Sequence, residues 1–444
     1  MSWPCTKREH VKCSPTFMLG VLIWAGGAQA GDFSVNMAEE QTIRWSGYVE
    51  NQAALMAFPE RELEEGEDEP EGSGLDLMDY NKLRLNLEAK PAAGFSANAN
   101  LVARSFHGTT SIAMADVLPE KFADDIAMLA MWDPSFASFT MEDEIYLNDA
   151  YFSARQGQFK FRMGKQPFRF GSGYFWNPTD PFTVKDMLDP SYEKQGVTAA
   201  RFEYVLPLQG MIEAWALPRQ TFGDFEVEDS AIAARARIAP GQWAFTASYA
   251  NYRDLAGLDP TAMSMEAFMV QGRRQMVGLD INGEVLGVGL WAEGAYNMMA
   301  LDDWEGLDKI AEETWIEVDA GAQYVIPGGT TLMVEYLYNQ RGMESADAYT
   351  LWHWMLYMEQ TIRALGQHYG TGTVQVPLGR IHTDLALTGI ANLSDGSWLL
   401  NPWISYAWGQ NLEISAYGAI GFGGKNAELS ATGKAGYLRG RFSF

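Results

Sequence analysis

Cysteine is the scarcest chemistry in this chain. Two occur among 444 residues, Cys5 and Cys13, both near the N-terminus. A chain that begins near residue 31 has none. That excludes disulfides, thiolate metal sites, cysteine nucleophiles and CxxCH haem attachment. Long apolar runs are also lacking. The run at 17–25 (FMLGVLIWA) is too short to cross a bilayer as a helix. Lys7, Arg8 and Lys12 precede it, and Ala28-Gln29-Ala30 follows it as an A-x-A cleavage site. Residues 1–30 are therefore expected to be a signal peptide, and 31–444 the folded part. Neither cysteine directly follows the cleavage site, which argues against a lipoprotein.

Net positive charge is absent. The formal charge is −25, and removing Lys7, Arg8, Lys12 and Glu9, together +2, makes it about −27. Nucleic-acid binding needs clustered Lys and Arg, so that class is set aside. Histidine is sparse too. Beyond residue 30 it occurs as His107, His353, His368 and His382. No G-x-S-x-G elbow, HExxH or P-loop accompanies these residues. His382 and Asp384 share a strand parity, and Ser405 or Ser415 is the serine a hydrolase would need beside them. The bland reading of His382 is a polar wall residue. No metal site, cofactor or catalytic residue is expected.

What the chain does have is 44 glycines, 13% aromatics and period-2 alternation from about Thr42 to the end. Tight turns recur at 90–94, 156–158, 207–210, 240–241, 286–287, 327–329, 377–379 and 409–411. Longer irregular segments lie between them, at about 57–79, 108–144, 170–195, 220–228, 255–274, 301–312, 341–366, 393–397 and 424–432. The two kinds of connection alternate strictly. Gln367 to Val376 must then be a strand, followed by the turn at Pro377-Leu378-Gly379. The pattern predicts an all-β fold: an antiparallel transmembrane β-barrel of about 18 strands, with long outer loops and short periplasmic turns. Closure follows from the solvent, because unpaired backbone groups in hydrocarbon cost several kcal/mol each. The last strand, 437–444, puts Leu438, Phe442 and Phe444 on one face and Arg439 and Arg441 on the other.

Parity also sorts the charges. Leu83, Leu85 and Leu87 oppose Lys82 and Arg84; Phe159, Phe161 and Met163 oppose Lys160 and Arg162; Ile316 and Val318 oppose Glu317 and Asp319. A charge on the lipid face near the midplane costs about 2–4 kcal/mol, so the charged parity faces inward. The predicted basic pore lining is Arg44, Lys82, Arg84, Arg104, Lys160, Arg162, Arg201, Arg235, Arg237, Arg439 and Arg441. The predicted acidic lining is Asp280, Glu284, Glu293, Glu317, Asp319 and Glu335. Opposed arcs set a transverse field across a narrow pore, favouring polar or charged solutes. Pairing of the charges along the wall is the competing reading. Trp45, Trp403 and Trp408 near strand ends fit an interfacial girdle.

The most distinctive segment is 164–182, GKQPFRFGSGYFWNPTDPF. It resembles a G-[RK]-Q-x-x-x-[WF]-G-x-G-x-x-[WF]-N-P-x-D-x-F signature of a broad group of porin-like bacterial outer-membrane β-barrels. Leu365-Gly366-Gln367-His368-Tyr369 and Asn392-Leu393-Ser394-Asp395-Gly396-Ser397 are similar to an LGRHY…NLDDGS stretch of that group. Gln367 stands where the group has Arg. The resemblance implies an outer-membrane barrel and says little about cargo. Either the aromatic-rich segment folds into the barrel mouth as a constriction, with Lys165, Arg169 and Asp180 at the narrow point, or it packs on itself as a surface loop.

Two other segments are read more plainly. Glu60 to Glu71 is a carboxylate run, normally a solvated loop, with Ca²⁺ or bridging to lipopolysaccharide phosphates as the sharper alternative. Leu351, Trp354, Met355, Met358, Ile362 and Leu365 recur at helical spacing, predicting a short helix at the outer rim. The implied function is passive diffusion of small polar or charged solutes. The alternatives are a scaffold barrel for a polymer, lipid or electron-transfer partner, and an outer-membrane lipid hydrolase. The implied partners are outer-membrane lipid and lipopolysaccharide, and the barrel-assembly machinery acting on the Phe444 strand. Homo-oligomers are common in such barrels, but no residue marks a subunit interface.

Overall fold

The computed structural model describes residues 33–38, 41–57, 76–132, 137–183, 194–218, 229–259, 269–301, 307–309, 313–358 and 362–444. The expected signal peptide and the carboxylate run at 60–71 lie outside the described residues. Eighteen antiparallel strands form the wall. They are β1 (Gln41–Ala57), β2 (Asp76–Ala92), β3 (Phe95–Gly108), β4 (Glu144–Gln156), β5 (Phe159–Gln166), β6 (Val197–Leu206), β7 (Gly210–Leu217), β8 (Ala231–Ile238) and β9 (Trp243–Leu258). They continue with β10 (Met269–Val285), β11 (Val288–Ala300), β12 (Thr314–Val325), β13 (Thr331–Asn339), β14 (His368–Leu378), β15 (Thr383–Asn392), β16 (Ser397–Trp408), β17 (Leu412–Phe422) and β18 (Lys434–Ser443).

Each strand pairs with the next, and β18 pairs with β1 to close the barrel, from Tyr48↔Ser443 to Ala57↔Lys434. Gly47 and Phe444 complete the seam by exchanging two backbone hydrogen bonds of 2.9 Å. No sheet edge remains along this seam, as a hydrocarbon surround demands. The periplasmic turns are tight. Leu286 (φ 51°) and Gly287 (φ 82°) are both left-handed, the geometry of a two-residue hairpin turn that matches strand twist. At Leu208-Gln209 two residues with side chains accept the same region.

The expected parity holds in the wall. Leu83, Phe161, Met163, Ile232, Ile316 and Leu438 are exposed on the outside, whereas Tyr48, Met276, Trp315 and Tyr417 are buried on the inside. Trp45 and Trp408 are exposed near strand ends, as a girdle requires. Trp403 is a correction. It lies opposite Tyr417, stacks on that ring at 4.7 Å, and carries the Arg439 guanidinium on its face. Its parity is that of buried Leu399 and Asn401, so it belongs to the lumen.

The outer loops carry the short helices α1 (Met114–Val117), α2 (Ala123–Trp132), α3 (Leu351–Met358) and α4 (Glu428–Ala431). Helical spacing in 351–365 thus marks a real helix, described over Leu351–Met358. Leu118, Phe122 and Ile126 of the β3–β4 loop pack with Leu255 and Leu258 of β9. Tyr349, Leu351, Trp354 and Leu356 of the β13–β14 loop join the same cluster. Lys121 Nζ donates to the carbonyls of Ala346 and Tyr349, at 2.8 and 2.9 Å, tying the two loops together. Elements from opposite sides of the barrel therefore meet in an apolar roof at the outer mouth.

Candidate functional site: the lumen and its inward loop

The first part of the β5–β6 connection, residues 167–183, enters the lumen. Phe168 and Phe170 are buried against Trp215 of β7 and Tyr252 of β9, with Phe168 and Trp215 centroids 4.9 Å apart. Tyr174 meets Trp291 of β11 at 4.9 Å, and Trp176 meets Tyr369 of β14 at 5.6 Å. The aromatic residues thus hold the loop to the wall from β7 round to β14. The inward fold is the outcome, and the self-packed surface loop is not.

Carboxylates of the wall hold the loop backbone. Glu335 of β13 accepts the N–H groups of Tyr174, Phe175 and Trp176, each at 2.8 Å. Glu293 of β11 accepts the Thr179 hydroxyl at 2.7 Å and the Ser172 N–H at 3.3 Å. Arg363, from the β13–β14 loop, donates to the carbonyls of Asn177 and, at 2.9 Å, Asp180. The Arg235 guanidinium donates to the Arg169 carbonyl at 2.9 Å. Close approach explains the glycines. A Cβ on Gly173 would overlap the Trp176 carbonyl oxygen and sit 2.7 Å from Asp319 Oδ2.

This changes the reading of the acidic lining. Glu293, Glu317, Asp319 and Glu335 point inward as parity requires, but they are buried at 4% exposure or less. Asp280 is also buried. The loop covers this wall, because exposed backbone N–H groups in a narrow lumen need acceptors and the carboxylates supply them. Glu317 is further engaged by Arg274, at 3.2 Å, and Arg363, at 3.7 Å. Only Glu284 is exposed, and it sits beside the periplasmic turn at 286–287.

The basic residues divide into three groups. Arg44 has the inward parity but lies below the Gly47–Phe444 seam. There β1 and β2 run on as a hairpin, backed by the strand Phe33–Ala38 in the register Ser34↔Arg44. It is not part of the closed wall, because the last strand ends above it. Arg237 is exposed at the periplasmic turn after β8. Lys82, Arg84, Arg104, Lys160, Arg162, Arg201, Arg235, Arg439 and Arg441 are inward on the closed wall.

Several of these cations are paired within their own arc, as the competing reading of the charge sorting held. Arg441 bridges to Glu50 at 2.6 Å, and Arg201 to Glu203 at 2.8 Å. Arg201 and Arg235 both grip Glu213, which is fully buried. Arg104 bridges to Glu144 at 2.6 Å. Arg439 is buried between Gln52 and Tyr417. Glu50, Glu203, Glu213 and Arg274 were all available to the parity rule and were left out of it. Arg363 had no such signal, since its role depends on where two loops meet.

Of the predicted constriction residues, Asp180 is buried inside the loop. It accepts the Thr183 hydroxyl at 2.6 Å and pairs with Lys194 at 3.5 Å, so it shapes the loop and does not face the pore. Burial lowers the Lys194 ammonium from its ordinary value, with Asp180 opposing the shift. Lys165 caps the Leu147 carbonyl at 2.8 Å. Arg169 is exposed at the start of the loop. The residues of the hydrolase alternative lie side by side at the periplasmic end, on β15, β16 and β17 and the turn before β15. Asp384 is opposite Ser405, Ser405 is opposite Ser415, and His382 lies in a turn with φ 51°.

Strand order, closure and the inward loop together define a porin-like β-barrel. Among solved structures it is similar to OccK9 (OpdG) of Pseudomonas aeruginosa, at 10% identity and TM-score 0.53, over 90% of this chain and 97% of that one. OccAB3 of Acinetobacter baumannii gives 10% identity and TM-score 0.52, over 90% and 99%. OccK5 (OpdH) of Pseudomonas aeruginosa gives 10% and 0.51, over 90% and 98%. At such identities the likeness is one of fold. No family model and no curated protein sequence matches the chain.

Proposed function

We propose that this chain is a bacterial outer-membrane channel for passive diffusion of small polar or charged solutes. The observation that carries this reading is the loop segment 167–183. It enters a lumen walled by charged side chains and is clamped there by Glu335, Glu293 and Arg363. A fixed loop narrows the path without filling it with a separate domain, and the charged wall favours hydrated solutes over apolar ones. The outer band of exposed apolar side chains, with Trp45 and Trp408 near strand ends, supports residence in lipid. The Phe444 strand is the segment offered to barrel-assembly machinery, and the outer leaflet supplies lipopolysaccharide as the lipid partner. Planar-bilayer recording of the folded barrel tests the proposal. Stepwise conductance is expected, and its absence from a correctly folded preparation would end it.

One observation favours a second reading, a scaffold barrel for a polymer, lipid or electron-transfer protein. The apolar roof formed by the β3–β4 and β13–β14 loops covers part of the mouth. Beside it a cavity of about 680 Å³ remains, lined by Asp116, Glu120, Lys425, Ser430 and Lys434. In the diffusion reading this is the outer vestibule. Recovery of a stoichiometric partner in mild detergent, together with silence in the bilayer, would favour the scaffold.

A further inference from the structure

We infer that β14, β15 and β16 form a sugar-binding sector of the lumen wall, with the Trp403 ring as its platform. This rests on the diffusion reading above and names a solute class that the channel takes: small neutral saccharides.

The wall has a sector that belongs to neither charged arc. Glu335 on β13 ends the acidic strands, and Arg439 and Arg441 stand on β18. Between them, the inward positions of β14, β15 and β16 carry one charged side chain, Asp384, beside the periplasmic turn. The others are hydroxyls, amides, aromatic rings and aliphatic groups. Thr373 and Thr388 face each other across their strands with hydroxyl oxygens 3.0 Å apart. Both are half-buried, and Gln375 beside them is exposed. Hydroxyls and amides donate and accept, as sugar hydroxyls do, so such a wall can exchange bonds with whichever hydroxyls a saccharide presents.

Trp403 supplies the other half of a saccharide site. A pyranose carries patches of C–H groups between its hydroxyls, and these pack on the negative face of an aromatic ring. Trp403, Tyr417 and Tyr437 stand in register on β16, β17 and β18. They stack at 4.7 and 4.5 Å, with 21° and 14° between planes. The Arg439 guanidinium reaches the row from β18, 5.3 Å from the Trp403 ring centre and 4.9 Å from that of Tyr417. Arg439 is itself held by Gln52 and the Tyr417 hydroxyl, at 3.0 and 2.7 Å. The row is therefore rigid, and Trp403 ends it. Opposite Trp403 on β15 is Ala386, whose methyl group is too short to cover an indole, and Gln375 stands opposite Ala386 in turn. The half-buried indole thus borders the hydroxyl sector. An apolar platform beside exchangeable polar groups is a pairing that a saccharide uses and a small ion does not.

The test is the current through single folded channels in planar bilayers with maltotriose added. Reversible, concentration-dependent interruptions are expected in the wild type. Trp403→Ala should raise the half-blocking concentration about tenfold, the size of one lost stacking contact, and Trp403→Phe should recover most of it. Thr388→Val keeps the shape, loses the hydroxyl, and should raise it too. Conducting wild-type channels that maltotriose does not interrupt overturn this inference and leave the diffusion reading standing. Interruption by benzoate but not by maltotriose does the same, since the ring row would then serve aromatic solutes. Unchanged block in Trp403→Ala and Thr388→Val overturns the assignment to this sector; if Trp403→Ala does not fold, Thr388→Val decides alone. A folded wild-type barrel with no conductance ends both readings together.

Discussion

Glu335 is the point at which the loop is most sensitive. Its two oxygens accept three consecutive backbone N–H groups, and the side chain is buried. Hydrogen bonds to a charged acceptor contribute about 1.5–3 kcal/mol each, but three on one side chain do not add. In Glu335→Gln the amide oxygen can keep two of the donors, while the Tyr174 N–H is left facing an NH₂ group. A loss of about 2–3 kcal/mol in loop docking follows. At about 1.4 kcal/mol per tenfold, the undocked population rises about 30- to 140-fold. The scarcity of cysteine makes this measurable. Ser172 has a buried hydroxyl with no hydrogen-bond partner, so Ser172→Cys places a thiol on the loop at little cost. Beyond Cys13 it would be the sole cysteine. Maleimide labelling of Cys-substituted protein reports the undocked fraction, and in Glu335→Gln it should accelerate by the same factor. Single-channel noise should rise with it. Labelling within about twofold of the parent, in a folded barrel, would refute the view that carboxylate-to-backbone bonds hold the loop.

Gly173→Ala should release the same loop by overlap with the Trp176 carbonyl, at about 1–3 kcal/mol, and the same labelling assay would show it. Phe122→Ala removes a buried ring from the roof and should loosen the β3–β4 loop by about 3 kcal/mol, read as faster protease cleavage there with the barrel intact. Glu428 carries the pH prediction. Burial, reinforced by Asp395, raises its carboxyl from the ordinary 4.5 to about 7, while Asn392 and Tyr369 bond to it. A raised carboxyl pKa means that the folded state holds a proton the unfolded state has released. The contribution is therefore complete below about pH 4.5 and is lost as pH rises through about 7. The outer loops around α4 should resist protease better at pH 5 than at pH 8, and Glu428→Gln should abolish the difference.

The strand map was legible because a barrel writes its two solvents into alternate residues. Leu83 against Lys82, or Ile316 against Glu317, leaves no freedom of register once one face must meet lipid. Turn chemistry did the rest, as at Leu286-Gly287, and strict alternation of short and long connections forced a strand at 367–376, which the structure places at His368–Leu378. What parity cannot show is the far side of the lumen. It places Glu335 and Asp319 inward but not beneath a loop that departs more than a hundred residues earlier in the chain. It gives Arg44 an inward parity without revealing that β18 ends before reaching it. Trp403 misled for a related reason: an aromatic near a strand end reads as a girdle until its neighbours Tyr417 and Arg439 are known.

The acidic arc and the glycine-rich loop are best understood as one device. Each is unfavourable alone. Inward carboxylates on β11 to β13 would repel one another in a narrow lumen, and a loop in that lumen would leave its N–H groups without partners. Together they cancel. Tyr174, Phe175 and Trp176 present three donors in sequence because the chain turns there, and Gly171 and Gly173 let the backbone come within reach of Glu293 and Asp319. The aromatic side chains of the same segment then point away from the carboxylates, into Trp215, Trp291 and Tyr369. Segment 164–182 combines glycines with aromatic residues for this reason: its backbone answers the charge on one wall while its rings fix its course around the lumen. A segment bound on both counts is held as a fixed wall of the path.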